Sequence, residues 1–193
     1  MQVQRRTGGR SARVREDVLH ATLQALAEDG GGEVHVGQIA RAAGVHETSI
    51  YRRWGTREHL VMDALLSFSE DRLPVPDTGA LRSDLIAFAT SVEDYLSSTL
   101  GKALVRSMTI AVDDPPAAAM RTEFWAKRKE LALTMFERAV RRNELRADLN
   151  HAVAIELLIA PLHFKALLTR ERVDGNFIAE YVDQLMTGFC ETE

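Results

Sequence analysis

Residues 36–60, VGQIARAAGVHETSIYRRWGTREHL, constrain the chain more than any other stretch, because two short helical patterns meet there around one glycine. Residues 37–43 read as a helix that buries Ile39, Ala40 and Ala43, after which Gly44 turns the chain. Two helices crossing at so tight a turn need a small inward residue on the first, a turn residue tolerant of positive φ, and an apolar anchor on the second. Ala40, Gly44 and Ile50 fill those roles, with Val45 closing the small core. Once Ile50 points inward, Glu47, Thr48, Ser49, Tyr51, Arg52 and Arg53 are distributed over the remaining faces. Short hydroxyls, a phenol and guanidiniums suit a major groove: Ser and Thr bond phosphates or base edges, and Arg forks onto N7 and O6 of guanine. Thr56 reads as the N-cap of the next helix, with His59 rather than an acid at N3, so the full capping box is absent. Arg57 stands beside that helix start, where backbone N–H groups attract phosphate.

Charge follows the same division. The net charge is −4, yet residues 1–57 carry nine Arg against six acids, and residues 58–193 carry 15 basic against 22 acidic side chains. Five arginines and no acid fall in the first fifteen residues, so residues 1–10 form a basic arm. A basic end on an acidic body suits approach to a polyanion from one side only. A composition of 46% hydrophobic and 27% charged residues belongs to a folded globular chain. The apolar run from Leu157 to Phe164 is too short to cross a bilayer, and no apolar stretch follows the basic N-terminus as a secretory signal would. With Cys190 the single cysteine, no intramolecular disulfide is expected, and the expected compartment is the cytoplasm.

Helical periodicity runs through the rest. Val14, Val18, Leu19, Leu23 and Leu26 predict a first helix over 11–29, stopped by Gly30, Gly31 and Gly32, with Val34 and Val36 tucked beneath it. Residues 58–72 predict a linking helix. Pro74 and Pro76 end it, and Asp77 or Thr78 is expected to cap the next. Five further helices are predicted over 80–100, 102–112, 116–142, 152–171 and 175–191, with Gly101 as one of the breaks and Pro161 kinking the fourth. No alternating strand pattern competes. The last two carry apolar residues on more than one side, which suggests a partner: the same helices of a second chain, in a two-fold four-helix bundle.

The pattern V-x-V-x-x-I-A-x-x-A-G-V from Val34 to Val45, followed in register by I-Y-x-x-W-x-x-R-x-x-L from Ile50 to Leu60, resembles the DNA-binding domain of the TetR family of bacterial transcription regulators. The resemblance covers residues 11–60. It implies that Glu47, Thr48 and Ser49 meet bases or phosphates, that Tyr51 meets a phosphate, and that Arg53 makes a further backbone or base contact; Arg52 joins the expected DNA-contacting set from its place on the outward faces of the helix. Gly37 falls where the preceding helix starts against a phosphate, and Arg57 where the family usually has a lysine. Three positions depart from the family: His46 replaces the usual serine cap, Trp54 the commoner Phe, and Arg57 the Lys. The resemblance also implies dimerisation through the last two helices and a small-molecule pocket among the middle ones. Its expected lining is Phe68, Phe88, Tyr95, Met108, Phe124, Trp125 and His163.

Enzyme chemistry finds little support. There is no HExxH, GxSxG or phosphate-cradling glycine loop, and the six histidines show no metal spacing, so neither a metal nor a cofactor is expected. The expected architecture is all-α: a three-helix helix-turn-helix domain over 1–57 and a helical regulatory and dimerisation domain over 58–193. The expected function is repression from a palindromic double-stranded DNA operator, relieved by an unidentified small molecule. The alternative is a ligand-independent DNA-binding structural or division-control protein of the same fold.

Overall fold

The computed structural model describes residues 9–29, 34–110, 115–146 and 148–189. All regular structure among them is helical: α1 (Gly9–Glu28), α2 (Val36–Ala42), α3 (Glu47–Trp54), α4 (Arg57–Arg72), α5 (Leu81–Ser97), α6 (Thr99–Ile110), α7 (Pro115–Arg141), α8 (His151–Phe164) and α9 (Gly175–Phe189). A π turn, Lys165–Thr169, extends α8. The basic arm up to residue 8, the glycines at 30–32 and Cys190 lie outside the described residues.

α1 wraps α2 and α3 into a small module whose core is Val18, Leu19, Leu26, Val34, Val36, Ile39, Ala40 and Ile50. Val14, expected on the buried face, is 38% exposed because that face begins only at Val18. α4 packs on α1 with one side and on α6 and α7 with another, so Leu60, Met62, Ala64 and Leu65 are all almost fully enclosed. α5 is the axis of the body, in contact with α6, α7, α8 and α9.

The connection between α4 and α5 has little bonding of its own, since Pro74 and Pro76 lack N–H donors. Two arginines of α7 serve its carbonyls instead. Arg128 donates to the carbonyl of Leu73, the C-cap of α4, at 2.8 Å, and Arg138 donates to that of Pro76. The start of α5 is capped in a way the sequence does not suggest. Thr78 donates its N–H and hydroxyl to the buried Asp84 at 2.6 and 2.7 Å, while the Leu81 N–H is received by Glu144, 2.6 Å away. Glu144 arrives there because α7 ends in a Schellman turn: Asn143 takes φ 57°, its N–H bonds the Val140 carbonyl, and the Glu144 N–H bonds that of Ala139. Arg142 beside it holds the Glu144 carboxyl below its ordinary range.

Gly101 is not a break. The chain turns at Ser98, whose hydroxyl accepts the Gly101 N–H at 3.0 Å and so caps α6, and Gly101 sits inside that helix. Its role is close approach: a Cβ there would lie 1.9 Å from the carbonyl oxygen of Tyr95. The helix expected over 152–171 also divides. Pro161 removes the donor that would meet the Leu157 carbonyl, and from Lys165 the bonding widens to the π turn, closed by Arg170 at φ 57°.

Since the obstacle at Gly101 is backbone rather than a movable side-chain tip, Gly101→Ala must separate α5 from α6. It should cost ~3 kcal/mol or more, seen as a drop of roughly 6 °C or more in melting temperature or loss of soluble protein. Melting at the wild-type temperature would contradict the packing.

Candidate nucleic-acid interface and cavity

α2 ends in the same turn as α7. Gly44 takes φ 65°, its N–H bonds the Arg41 carbonyl, and the Val45 N–H bonds the Ala40 carbonyl, so the chain reverses at once into α3. Ile50 at 1% exposure and Ala40 at 3% close the crossing. His46 supplies no side-chain cap to α3, as its chemistry predicts, whereas Thr56 caps α4 by accepting the His59 N–H at 3.2 Å. His59 turns back to donate from Nδ1 to the Trp54 carbonyl, 3.0 Å away, joining α4 to the end of α3.

The expected contact residues of α3 are not all alike. Thr48, Tyr51 and Arg52 are exposed, Tyr51 by 47%, while Ser49 is half-buried. Arg53 is exposed but lies over the Trp54 ring, 5.5 Å from its centre, with Nη1 3.3 Å from the Ser11 hydroxyl at the start of α1. Arg57 reaches the neighbouring carboxylate of Glu58 at 3.0 Å. The Glu47 carboxylate folds back over α2, so that a Cβ on Gly37 would stand 2.8 Å from its Oε1. Glu47 thus occupies the approach to the start of α2 instead of pointing away from the module.

Asp63 is the residue that motif reasoning missed. Its Oδ1 accepts from Arg15 of α1 at 2.6 Å and its Oδ2 accepts from the Trp54 indole of α3 at 2.9 Å. One carboxylate on α4 therefore grips both outer helices of the module. The signal was available in Trp54, because an indole that replaces a phenyl ring in a core brings an N–H that needs an acceptor.

In the body, α5, α6, α7 and α8 enclose a cavity of about 780 Å³. Of the expected lining, Phe88, Tyr95, Phe124, Trp125 and His163 are present. Phe68 instead packs behind the wall, its ring 6.0 Å from that of Tyr95, and the Met108 side chain lies outside the described residues. The floor is apolar and buried, with Leu73 at the end of α4 forming part of it. Tyr95 donates to the Leu65 carbonyl of α4 at 3.4 Å, and burial pushes its phenol pKa up. His163 meets the Trp125 edge at 5.5 Å and donates from Nδ1 to the Ile159 carbonyl; burial lowers its pKa and favours the neutral ring. Sequence reasoning passed over Arg121, Arg128, Lys129 and Glu156, because charged residues on a helix are ordinarily solvated. Exposed Trp125, Ala126, Ala160 and Leu167 mark the mouth, between α7 and α8.

α8 presents a second apolar row to the outside: Val153, Leu157, Phe164 and Leu168 are 48%, 49%, 54% and 71% exposed. α9 contributes less than its composition suggests, since Phe177, Tyr181, Leu185 and Met186 are each partly covered. By length and composition alone, the segment His151–Thr169 is apolar enough to cross a membrane.

Comparison with known proteins accounts for both halves. Residues 18–64 match the family described as bacterial regulatory proteins, tetR family, and residues 75–185 match the tetracyclin repressor-like C-terminal domain. The HTH-type transcriptional regulator AqdR of Rhodococcus erythropolis is 36% identical over 154 residues, 80% of this chain and 74% of that protein. A DNA-binding transcriptional repressor TetR of Mycobacteroides abscessus is 30% identical over 180 residues, 88% of this chain and 90% of that one. Among solved structures, the TetR family transcription regulator SCO0332 superposes with a TM-score of 0.81 at 28% identity, covering 93% of this chain and all of that one.

The double grip of Asp63 has a measurable consequence. Trp54→Phe keeps the ring packing and loses one hydrogen bond, about 1 kcal/mol or roughly 2–4 °C in melting temperature. Asp63→Ala leaves the indole N–H unmet and Arg15 unpaired, and should cost at least twice as much. Equal melting temperatures for the two variants and wild type would refute the grip.

Proposed function

Because the chain belongs to the TetR family and is a DNA-binding transcriptional regulator, we propose that it is a repressor that leaves a roughly palindromic operator when a small molecule fills the cavity. One connection carries this reading. The cavity wall reaches α4 through Leu73 and through the Tyr95 bond to Leu65, and Asp63, in the N-terminal half of α4, holds α1 and α3. A ligand that fits better when α4 is shifted draws the two recognition helices of a dimer away from successive major grooves, about 34–36 Å apart. The relative from Mycobacteroides abscessus is itself called a repressor, in keeping with this direction of control. A protein that reads chromosomal DNA works in the cytoplasm, and we assign it there.

The test begins with selection of an operator from randomised DNA by the full chain. A metabolite and drug panel is then screened for compounds that both raise the melting temperature and release that operator. A panel that does neither removes the ligand response and leaves a ligand-independent DNA-binding protein.

Within residues 1–57, taken as the DNA-reading domain, α3 is the recognition helix and Thr48 a base reader, with Glu47, Ser49 and Arg53 beside it. Tyr51, Arg52 and Arg57 are assigned to phosphates, as is the start of α2 at Gly37 once the Glu47 carboxylate that lies over it turns away toward the DNA. Arg52→Ala should weaken binding to all sequences and reduce the slope of log affinity against log salt by ~0.9. Thr48→Ala should change the selected motif while keeping the slope. The same motif from both proteins would exclude base reading by Thr48.

Residues 58–193 are taken as the regulatory and dimerisation domain, with two copies meeting through α8 and α9. The exposed row Val153, Leu157, Phe164 and Leu168 supports this assignment, because such a row stays wet in a lone chain and buries against its own copy across a two-fold axis. Leu157→Arg should yield a monomer by light scattering and weaken operator binding at least tenfold, since two half-sites are then no longer linked. A dimer of wild-type stability in that variant would move the interface elsewhere.

A further inference from the structure

The polar side chains of the cavity wall are, with one exception, already engaged or open to water. Arg128 donates to the Leu73 carbonyl at 2.8 Å, and Arg121 has a partner of its own. Lys129 and Glu156 pair with each other at the exposed rim. Tyr95 gives its hydroxyl hydrogen to the Leu65 carbonyl, while the Trp125 indole, 38% exposed, stands at the mouth in reach of water. His163 is the exception. Its Nδ1 lies 2.9 Å from the Ile159 carbonyl one turn back on α8, and a carbonyl only accepts, so Nδ1 carries the hydrogen. Burial lowers the pKa of the ring and so favours its neutral form. A neutral imidazole with its hydrogen on Nδ1 presents a lone pair at Nε2. Among the described residues no N–H or O–H is bonded to that atom. The ring is also fixed in place, by the Ile159 bond on one edge and by the Trp125 ring 5.5 Å away.

Granted the ligand-responsive reading above, on which it rests, we propose that the effector is an uncharged, largely apolar ring compound of the phenol class, whose hydroxyl donates to Nε2 of His163. The acceptor on the wall calls for a donor on the ligand. An ether or ketone of the same shape would set its own lone pairs against that of Nε2 and leave both without a hydrogen, the arrangement by which a polar site rejects an analogue that lacks the hydroxyl. A charged ligand is disfavoured for a different reason: it loses its water on entering an apolar wall, and the cations around it already have partners that it would have to displace. Phe88, Phe124 and Trp125 supply ring faces and edges for an aromatic body. The volume of about 780 Å³ suits two or three rings with room for water at the mouth.

Three probes on one skeleton test this with the full-length protein at neutral pH: 4-hydroxybiphenyl, 4-methoxybiphenyl and biphenyl-4-carboxylate. Read by quenching of Trp125, the phenol should bind about tenfold tighter than the ether, and the carboxylate more weakly than either. His163→Phe keeps a ring against Trp125 and removes the acceptor, so the preference for phenol over ether should shrink to about twofold or less. The ether should still bind that variant, which reports an intact cavity, and His163→Gln, whose amide oxygen accepts, should restore part of the preference. A measurement on the wild type needs no variant at all: the nitrogen resonance of His163 Nε2 should move upfield when the phenol binds and stay in place with the ether. An equal preference in wild type and His163→Phe, tightest binding of the carboxylate, or an Nε2 resonance that ignores the phenol overturns the inference and leaves the cavity reading standing. If none of the three enters the wild-type cavity, the cavity reading itself falls, and this inference with it.

Discussion

The helix Arg57–Arg72 is shared by two cores, and the rest of the structure depends on how each end of it is held. In its N-terminal half, the Asp63 carboxylate takes one bond from Arg15 and one from the Trp54 indole, fixing α4 to the first and third helices together. At its end, the C-cap carbonyl is held by a side chain from α7, since the prolines that follow offer no donor. These side-chain bonds add to apolar packing along α4, where Leu60, Met62, Ala64 and Leu65 are almost fully enclosed between α1 and the body helices.

The body is pinned by polar contacts between parts of the chain distant in sequence. α5 touches α4 as well as the other helices of the body, and its start is pinned by an acid that belongs to the turn after α7, some sixty residues later in the chain. Asp84, fully enclosed, holds Thr78 with one oxygen and lies 3.6 Å from Arg142 with the other. Such closed polar contacts are costly to break one at a time, because the partner left behind remains buried. α4 therefore lies against a firmly pinned body.

Much of the fold was legible in the sequence, for identifiable reasons. Ala40, Gly44 and Ile50 are local requirements of a tight helix crossing, and each does what its type predicts. The misreadings share a cause, which is that they depend on neighbours distant in sequence. Gly101 read as a break because a missing side chain suggests a turn, whereas here it admits the Tyr95 carbonyl. Thr78 read as a cap because no local signal announces that Glu144 arrives from α7 to take that role. In the cavity, aromatic residues such as Phe88 and Trp125 could be expected from composition and position, but Arg128 could not. A buried arginine resembles a surface one until its carbonyl partner is known.

α8 is committed on three sides: Ala154, Ile155, Leu158 and Leu162 to the core, Glu156, Ala160 and His163 to the cavity, and Val153, Leu157 and Phe164 to the outside. Almost no position along it is spare. On the proposed dimer, a substitution that retunes the cavity rim lies one residue from the row that selects the partner chain. Duplicate copies of such a gene that drift toward different effectors would thus lose the ability to pair with each other along the way. Separation of signals and separation of subunits would come from the same few codons.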